Sequence, residues 1–329
     1  MLCFDGASRV HVEMFLSSMG VEEPDELGGS PSRGEMTTMG ATLRTLALFG
    51  VMMLLFIGIG YLVGEVFMKD NPMLGPLVFL AIAAVMNFIS YFFSSKIVLW
   101  SYRARIVSEA QAPRLHKIVR MICVKADLPM PKIAVVPTQN PNAFATGRNK
   151  NNAVVAATEG ILILLSDDEL EGVLAHEMAH VKNRDILVMS VAATLAGAIA
   201  FAARMFWFNS LFGGRRGNNN AIILLVVAIT APIAAMLIQL AISRNREYKA
   251  DREGALMIQR PLVLARALQK LEDGNRRRPI ERGNPATASM FIVNPFRGQG
   301  LVTLFMTHPP VSARVRRLEK LAQDTGYIG

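Results

Sequence analysis

Four runs of this chain carry no charged residue and are long enough to cross a bilayer: residues 45–64, 71–95, 186–203 and 217–243. About 20 apolar residues in a helix span the hydrocarbon core. Charges close the first two runs sharply, Arg44 and Glu65 around one, Asp70 and Lys96 around the other. Both are expected to be membrane helices. The third run sits at the lower limit of length, and the fourth holds Pro232, which a membrane helix tolerates better than a soluble one. These two read as a second spanning hairpin, with a hairpin buried in a protein core as the alternative. Only 19% of the residues are charged, and Cys3 and Cys123 are too few for a disulfide framework. An ordinary soluble enzyme, a disordered regulator and a disulfide scaffold are therefore poor fits.

Basic residues beside the runs set the orientation. The connection between the first two has one, Lys69. The segment after the second has Lys96, Arg103, Arg105, Arg114, Lys117 and Arg120 against a single acid, Glu109. The N-terminus and the region beyond residue 96 are thus expected in the cytosol. Arg204, Arg215 and Arg216 between the third and fourth runs go against this pattern. The net charge of +9 suits an anionic membrane face, so lipids are expected partners and nucleic acid is not.

Residues 1–35 differ in kind, with seven acids (Asp5, Glu13, Glu22, Glu23, Asp25, Glu26, Glu35) and two arginines. Without a basic n-region they are not a cleavable signal peptide. They read as a disordered acidic tail, and Met36 or Met39 would each serve as a start.

The stretch from 96 to 185 reads as soluble α+β. Short β-prone runs at 133–136, 143–146 and 153–158 are separated by turn residues at 140–142 and 147–152. Ser166 followed three residues later by Glu169 matches a capping box, so a helix should start there. That helix contains His176-Glu177-Met178-Ala179-His180. Histidines at i and i+4 lie on one helical face and can reach one metal ion, with Glu177 placed to take a proton from a metal-bound water. The chemistry is metal-assisted amide hydrolysis. The bland alternative is two surface histidines on an amphipathic helix.

A catalytic zinc wants a third protein ligand and one open position. His11, His116 and His308 are the other histidines, and Cys123 sits in an apolar helix-like run. The acids just beyond the fourth run are better placed: Glu247 and Asp251 are four apart on a helix-like segment and share a face. One can ligate and the other can hold a ligand histidine, although an ordinary acidic pair on a solvated helix has the same spacing. His308, before Pro309-Pro310, reads from sequence alone as structural. Arg276 to Arg278 read as a solvated loop, and Val311, Val315 and Leu318 as an apolar stripe packing on the catalytic part.

Asn142-Ala143-Phe144-Ala145-Thr146-Gly147, then HEMAH with Val181-Lys182-Asn183-Arg184-Asp185, then the segment from Ser243 to Asp251, then Thr307-His308-Pro309-Pro310, resemble in order the HtpX family of membrane zinc metalloproteases. CAAX prenyl proteases are more distant relatives. The resemblance covers about residues 39–318. It implies one Zn²⁺ per chain held by His176, His180 and Glu247, with Asp251 behind them and Glu177 as catalytic base. It implies that His308 stabilises the oxyanion, and that Asn142, Ala143 and Phe144 belong to a strand that pairs with the substrate backbone. The implied fold is mainly α-helical α+β, a zincin-like metalloprotease domain with transmembrane helices. The expected segments are an acidic tail (1–38), a transmembrane hairpin (39–98), a cytosolic catalytic part (99–185), a second apolar hairpin (186–243) and a cytosolic part completing the zinc site (244–329). His180 lies six residues before Ile186, about 9 Å of helix, so the metal should sit near the bilayer surface. The expected protein is a multi-pass inner-membrane endopeptidase with its site in the cytosol. It would cut membrane proteins in quality control and stress response, and self-cleavage is a further expectation. A metal transporter would place its ligands inside the apolar runs, and here they lie outside. A scaffold using the metal as a brace would have no use for Glu177.

Overall fold

The computed structural model describes residues 43, 45–58, 60–61, 70–71, 73–195, 244–277, 292–293 and 309–327. The acidic tail, the run at 217–243, Arg278 and His308 lie outside them. The described part is mostly helical with one small sheet. Helices α1 (Thr45–Gly58) and α2 (Leu74–Ser101) come first. Strand β1 (Arg105–Ile106), α3 (Pro113–Ala126), β2 (Lys132–Val136), β3 (Ala143–Gly147), β4 (Ala153–Thr158) and α4 (Glu159–Leu164) follow. Helices α5 (Asp167–Lys182), α6 (Asp185–Leu195), α7 (Arg244–Ile258), α8 (Pro261–Arg277) and α9 (Val311–Thr325) complete it.

The strand order is β1-β2-β4-β3. β2 and β4 are parallel, and β1 and β3 flank them antiparallel, which leaves β3 at an edge. Side chains alternate strictly between two cores, as the period of a strand requires. Ile133, Ala143, Ala145, Val155 and Ala157 face the main core with α3, α5, α7, α8 and α9. Ala134, Val136, Phe144, Val154 and Ala156 face Val98 of α2 and Ala193 of α6. A sheet covered on both faces reads as continuous apolar runs, and these short strands do. Two elements escape the sequence reading: β1, only two residues long, and α4, a short helix capped by Thr158.

α5 is the centre of the fold. Ser166 caps it: its Oγ accepts from the Glu169 backbone and Glu169 Oε2 accepts from the Ser166 backbone, so both halves of the expected capping box form. Every residue from Glu169 to Val181 is buried, because the sheet, α3, α7 and α8 surround the helix. His176 and His180 are therefore interior groups, and the reading of them as surface histidines fails. The expected stripe on α9 is also buried in the main core, through Val311, Val315 and Leu318. Arg276 and Arg277 do not form the expected loop but end α8, where both are exposed and Arg276 pairs with Glu272.

Among the described residues α2 alone is long and apolar enough to cross a membrane. Its polarity is reversed relative to a soluble helix. The buried stripe is small or polar, Gly75, Ala83, Asn87, Ser90, Ser94 and Val98, while Leu77, Ile82, Val85, Phe88 and Phe92 are exposed. Asn87 Nδ2 donates to the Phe49 carbonyl of α1. α1 in turn packs Leu48 and Met52 on Val188, Val191, Ala192 and Leu195 of α6.

Candidate active site

Helix geometry alone puts His176 and His180 on one face of α5, with ring centroids 4.8 Å apart. The third group needs the tertiary fold. α7 crosses α5 so closely that a Cβ at Gly254 would lie 2.7 Å from the His176 amide nitrogen. This contact brings Glu247 and Asp251, one helical turn apart, onto the histidines. Glu247 Oε2 lies 3.6 Å from His176 Nε2, and Glu247 Oε1 lies 3.6 Å from His180 Nε2. Both histidines and Glu247 are nearly fully buried. Gly254→Ala is expected to push the helices apart at backbone level and cost about 1–3 kcal/mol, as overpacking does. Loss of metal content and a lowered melting temperature would report it. A variant unchanged in both would mean that α7 can shift freely.

One ligand atom from each of His176, His180 and Glu247 lies within 4.8 Å of the others. Two imidazoles and a carboxylate are the donors that zinc prefers, and ligand bonds of about 2.0–2.1 Å at tetrahedral angles set donors about 3.3 Å apart. Each histidine lies 3.6 Å from a different oxygen of Glu247 and one ligand atom from each residue lies within 4.8 Å of the others, so the three must draw together to reach that spacing. These residues fit a metal ion.

Both histidines are held from behind. His176 Nδ1 is 3.0 Å from Asp251 Oδ1, and His180 Nδ1 is 3.4 Å from Asp185 Oδ2. With Nε2 turned to the site in each case, the proton belongs on Nδ1, which donates to the carboxylate. Burial pushes the His176 pKa down, but the carboxylates of Asp251 and Glu247 outweigh it and hold the imidazole up at about 9. A metal entering this site must displace the proton that the imidazolium carries on Nε2, leaving the one on Nδ1 with Asp251.

Asp251 carries a fully buried partner that sequence reading missed, Arg314 of α9. Its Nε and Nη2 donate to Oδ2 and Oδ1 at 2.8 and 2.6 Å, and its Nη1 donates to the Ile292 carbonyl at 2.7 Å. Burial raises the Asp251 carboxyl, yet the guanidinium overrides it and brings the group down to about 2. The only sequence hint was a basic residue within the apolar stripe of α9, and nothing local links it to a position 63 residues away.

Glu177 points to the sheet edge, where Oε2 accepts from the Ala145 amide at 3.0 Å. Burial raises its pKa, against the opposing pull of His176 and His180. The Asn142 carbonyl accepts from Thr158, so the antiparallel alternation turns the backbone of Asn142 and Phe144 toward β4 and that of Ala143 and Ala145 toward the open edge. The Asn142 side chain instead accepts from the Ile292 amide, and Phe144 packs against Tyr102. All five residues of β3 are buried. Thr146 Oγ1 shares a 2.7 Å hydrogen bond with Ser190 of α6. Cys123 is buried in α3 and is not part of the His176, His180 and Glu247 group.

Residues 109–322 match the model of Peptidase family M48. A protease HtpX homologue of Thermococcus sibiricus is 51% identical over 295 residues, covering 88% of this chain and 98% of its own length. The homologue of Pyrococcus furiosus is 51% identical over 294 residues, with 88% and 99% covered. That of Salinibacter ruber is 52% identical over 283 residues, with 85% and 98% covered. The crystal structure of S. mikatae Ste24p aligns with 95% of this chain and 73% of that one at a TM-score of 0.45 and 18% identity, too remote to add to the assignment. With a catalytic-type helix at the centre of the fold and half-identical proteases matched along most of its length, this chain belongs to peptidase family M48, among the HtpX proteases.

Proposed function

We propose that the protein is a zinc endopeptidase of the cell inner membrane, multi-pass, with its active site facing the cytosol and membrane proteins as substrates. The observation that carries the reading is the buried convergence of His176, His180 and Glu247 beside Glu177. His176, His180 and Glu247 hold the ion, one per chain, and leave a position open for water or substrate. When bound, zinc acidifies water and polarises the scissile carbonyl. Glu177 takes the proton from the attacking water and returns it to the leaving amine, a task that its burial-raised pKa suits. Its hydrogen bond from the Ala145 amide fixes the carboxylate against the open edge of β3, where the backbone of Ala143 and the carbonyl of Ala145 pair with an extended substrate. Asp251 and Asp185 keep the imidazoles turned to the metal. His308 serves the oxyanion in this reading.

The reversed polarity of α2 supports a membrane setting. Small and polar residues facing the protein, with large apolar ones outward, are what helix packing in lipid favours. Its 28 residues reach about 42 Å, enough to cross a core of about 30 Å. Lys96 and Trp100 near its end suit an interface. The segment division given above, with hairpins at 39–98 and 186–243, belongs to the same proposal, as do quality control of damaged membrane proteins and self-cleavage.

Metal analysis and cleavage of a reporter membrane protein test the assignment together. Glu247→Ala is expected to lose bound zinc and activity, and Asp251→Ala to weaken the site by roughly 10–100-fold. Metal lost from Asp251→Ala and kept by Glu247→Ala would reverse the two roles. A wild-type protein without zinc would overturn the reading.

A further inference from the structure

Only Asn183 and Arg184 separate α5 from α6. Arg184 takes φ +59°, a left-handed conformation that a residue with a Cβ keeps only when its surroundings hold it. α7 supplies those surroundings. Asn183 Nδ2 donates to Glu253 Oε2 at 2.6 Å, and Lys249 Nζ donates to Asn183 Oδ1 at 2.9 Å. Arg246 Nη1 lies 3.7 Å from Asp185 Oδ1, and the other oxygen of Asp185 faces His180 Nδ1 at 3.4 Å. Asp185 and Arg246 are both buried.

We propose that Asp185 is a positioning residue that sets the ring of His180, and that Arg246 sets Asp185 in turn, so the α5–α6 corner and the start of α7 form one clasp. The inference rests on the metal-site reading above. A carboxylate on Nδ1 fixes the tautomer and orientation of a ligand imidazole and raises its basicity. Asp251 is placed to do this for His176, and Asp185 is the corresponding group for His180, supplied from a different element. Asp185 stands immediately before the apolar stretch 186–243, and Arg246 follows three residues after its end. The clasp therefore joins the residues that flank that stretch. Drawing its two ends apart withdraws Asp185 from His180 and weakens the metal site. Metal binding in turn holds the ends together, since the two equilibria share one free energy.

Asp185 also begins α6, so a helix cap is the competing explanation. Asparagine caps about as well as aspartate, and Asp185→Asn separates the two roles. The full chain is reconstituted in lipid nanodiscs as wild type, Asp185→Asn, Arg246→Gln and the double variant. Zn²⁺ affinity is read by chelator competition, the ligand field by the visible spectrum of the Co²⁺-loaded protein, and folding by the melting curve of the metal-free protein. Asp185→Asn is expected to weaken Zn²⁺ binding by roughly 10–100-fold and to alter the Co²⁺ bands; the metal-free melting temperature is expected to fall because buried Arg246 loses its counter-charge, and to recover in the double variant while the altered Co²⁺ bands do not. Arg246→Gln is expected to weaken binding less, and to have no further effect once Asp185 is Asn, because it acts through that residue. Wild-type affinity and spectrum in Asp185→Asn would overturn the inference, as would additive effects in the double variant. If Asp185→Asn does not insert, the Arg246→Gln affinity decides, and a wild-type value overturns the clasp. A wild-type protein that binds no metal would instead overturn the metal-site reading itself.

Discussion

Glu177→Gln is expected to lower proteolysis by about 10²–10⁴-fold, the usual loss when a general base is removed, with metal content unchanged. Glutamine keeps the shape of the side chain and can still accept from the Ala145 amide, which the structure shows bonded to Glu177 Oε2 at 3.0 Å. Only the ability to take a proton is lost. Glu177 faces the sheet edge, while the three metal-site donors converge on one another, so its neutralisation should not strip the ion. It removes a charge from a fully buried position, and the folded state should tolerate or favour that. The measurement is cleavage of a reporter membrane protein alongside zinc analysis of the same preparation. Activity within a few-fold of wild type would remove Glu177 from the proton-transfer role. Loss of zinc would mean that it contributes to the metal site.

Arg314→Ala is expected to destabilise the fold by about 3–5 kcal/mol, the cost of leaving one member of a buried ion pair alone. Arg314 has no exposed surface, and its guanidinium makes two short bonds to Asp251 and a third to the Ile292 carbonyl. Its removal leaves the Asp251 charge buried against His176 without the guanidinium and removes the bond that ties the Ile292 carbonyl to α9. Arg314→Lys should rescue little, since a point charge cannot reproduce the fork. The effect has a defined pH dependence. Asp251 titrates at about 2 in the fold and near 3.9 when unfolded, so the stability from its pairing is present above about pH 4. It is lost as the pH falls through about 2. The gap between wild type and Arg314→Ala should therefore narrow below about pH 4. Thermal unfolding of both proteins in detergent across this range checks it, and equal melting temperatures at neutral pH would show that the pair contributes nothing.

The two predictions divide along the line between local and distant contacts. The i, i+4 spacing of His176 and His180 and the Ser166–Glu169 cap are set by helix geometry over a few residues, so both were legible in the chain and both appear as read. The same holds for the short strands, whose boundaries moved by at most a residue, whereas the apolar run read at 71–95 lies in a helix that starts at Leu74 and runs on to Ser101. The sequence also offered Glu247 and Asp251 as a pair on one face, but periodicity alone could not say which would ligate, and a resemblance was needed to choose. The structure separates them physically. Glu247 meets the Nε2 atoms of both histidines, and Asp251 meets the Nδ1 of one.

What only the tertiary structure decided depends on residues far apart along the chain. The strand order β1-β2-β4-β3 puts β3 at the edge, and the antiparallel alternation then presents Ala143 and Ala145 rather than Asn142 and Phe144. Arg314 reaches Asp251 across 63 residues. Asp185 carries no role in the sequence beyond closing the segment Val181 to Asp185, and only α7 brings Arg246 beside it. Each of these contacts forms because a close approach of helices, such as that at Gly254, closes a long loop and excludes water from charges that would be solvated in an isolated segment. A hydrophobic pattern records that a helix has a buried face. It holds no information on which distant charge that face will meet, so the donors along one helix turn could be read from sequence, and the groups that orient them came only from the folded chain.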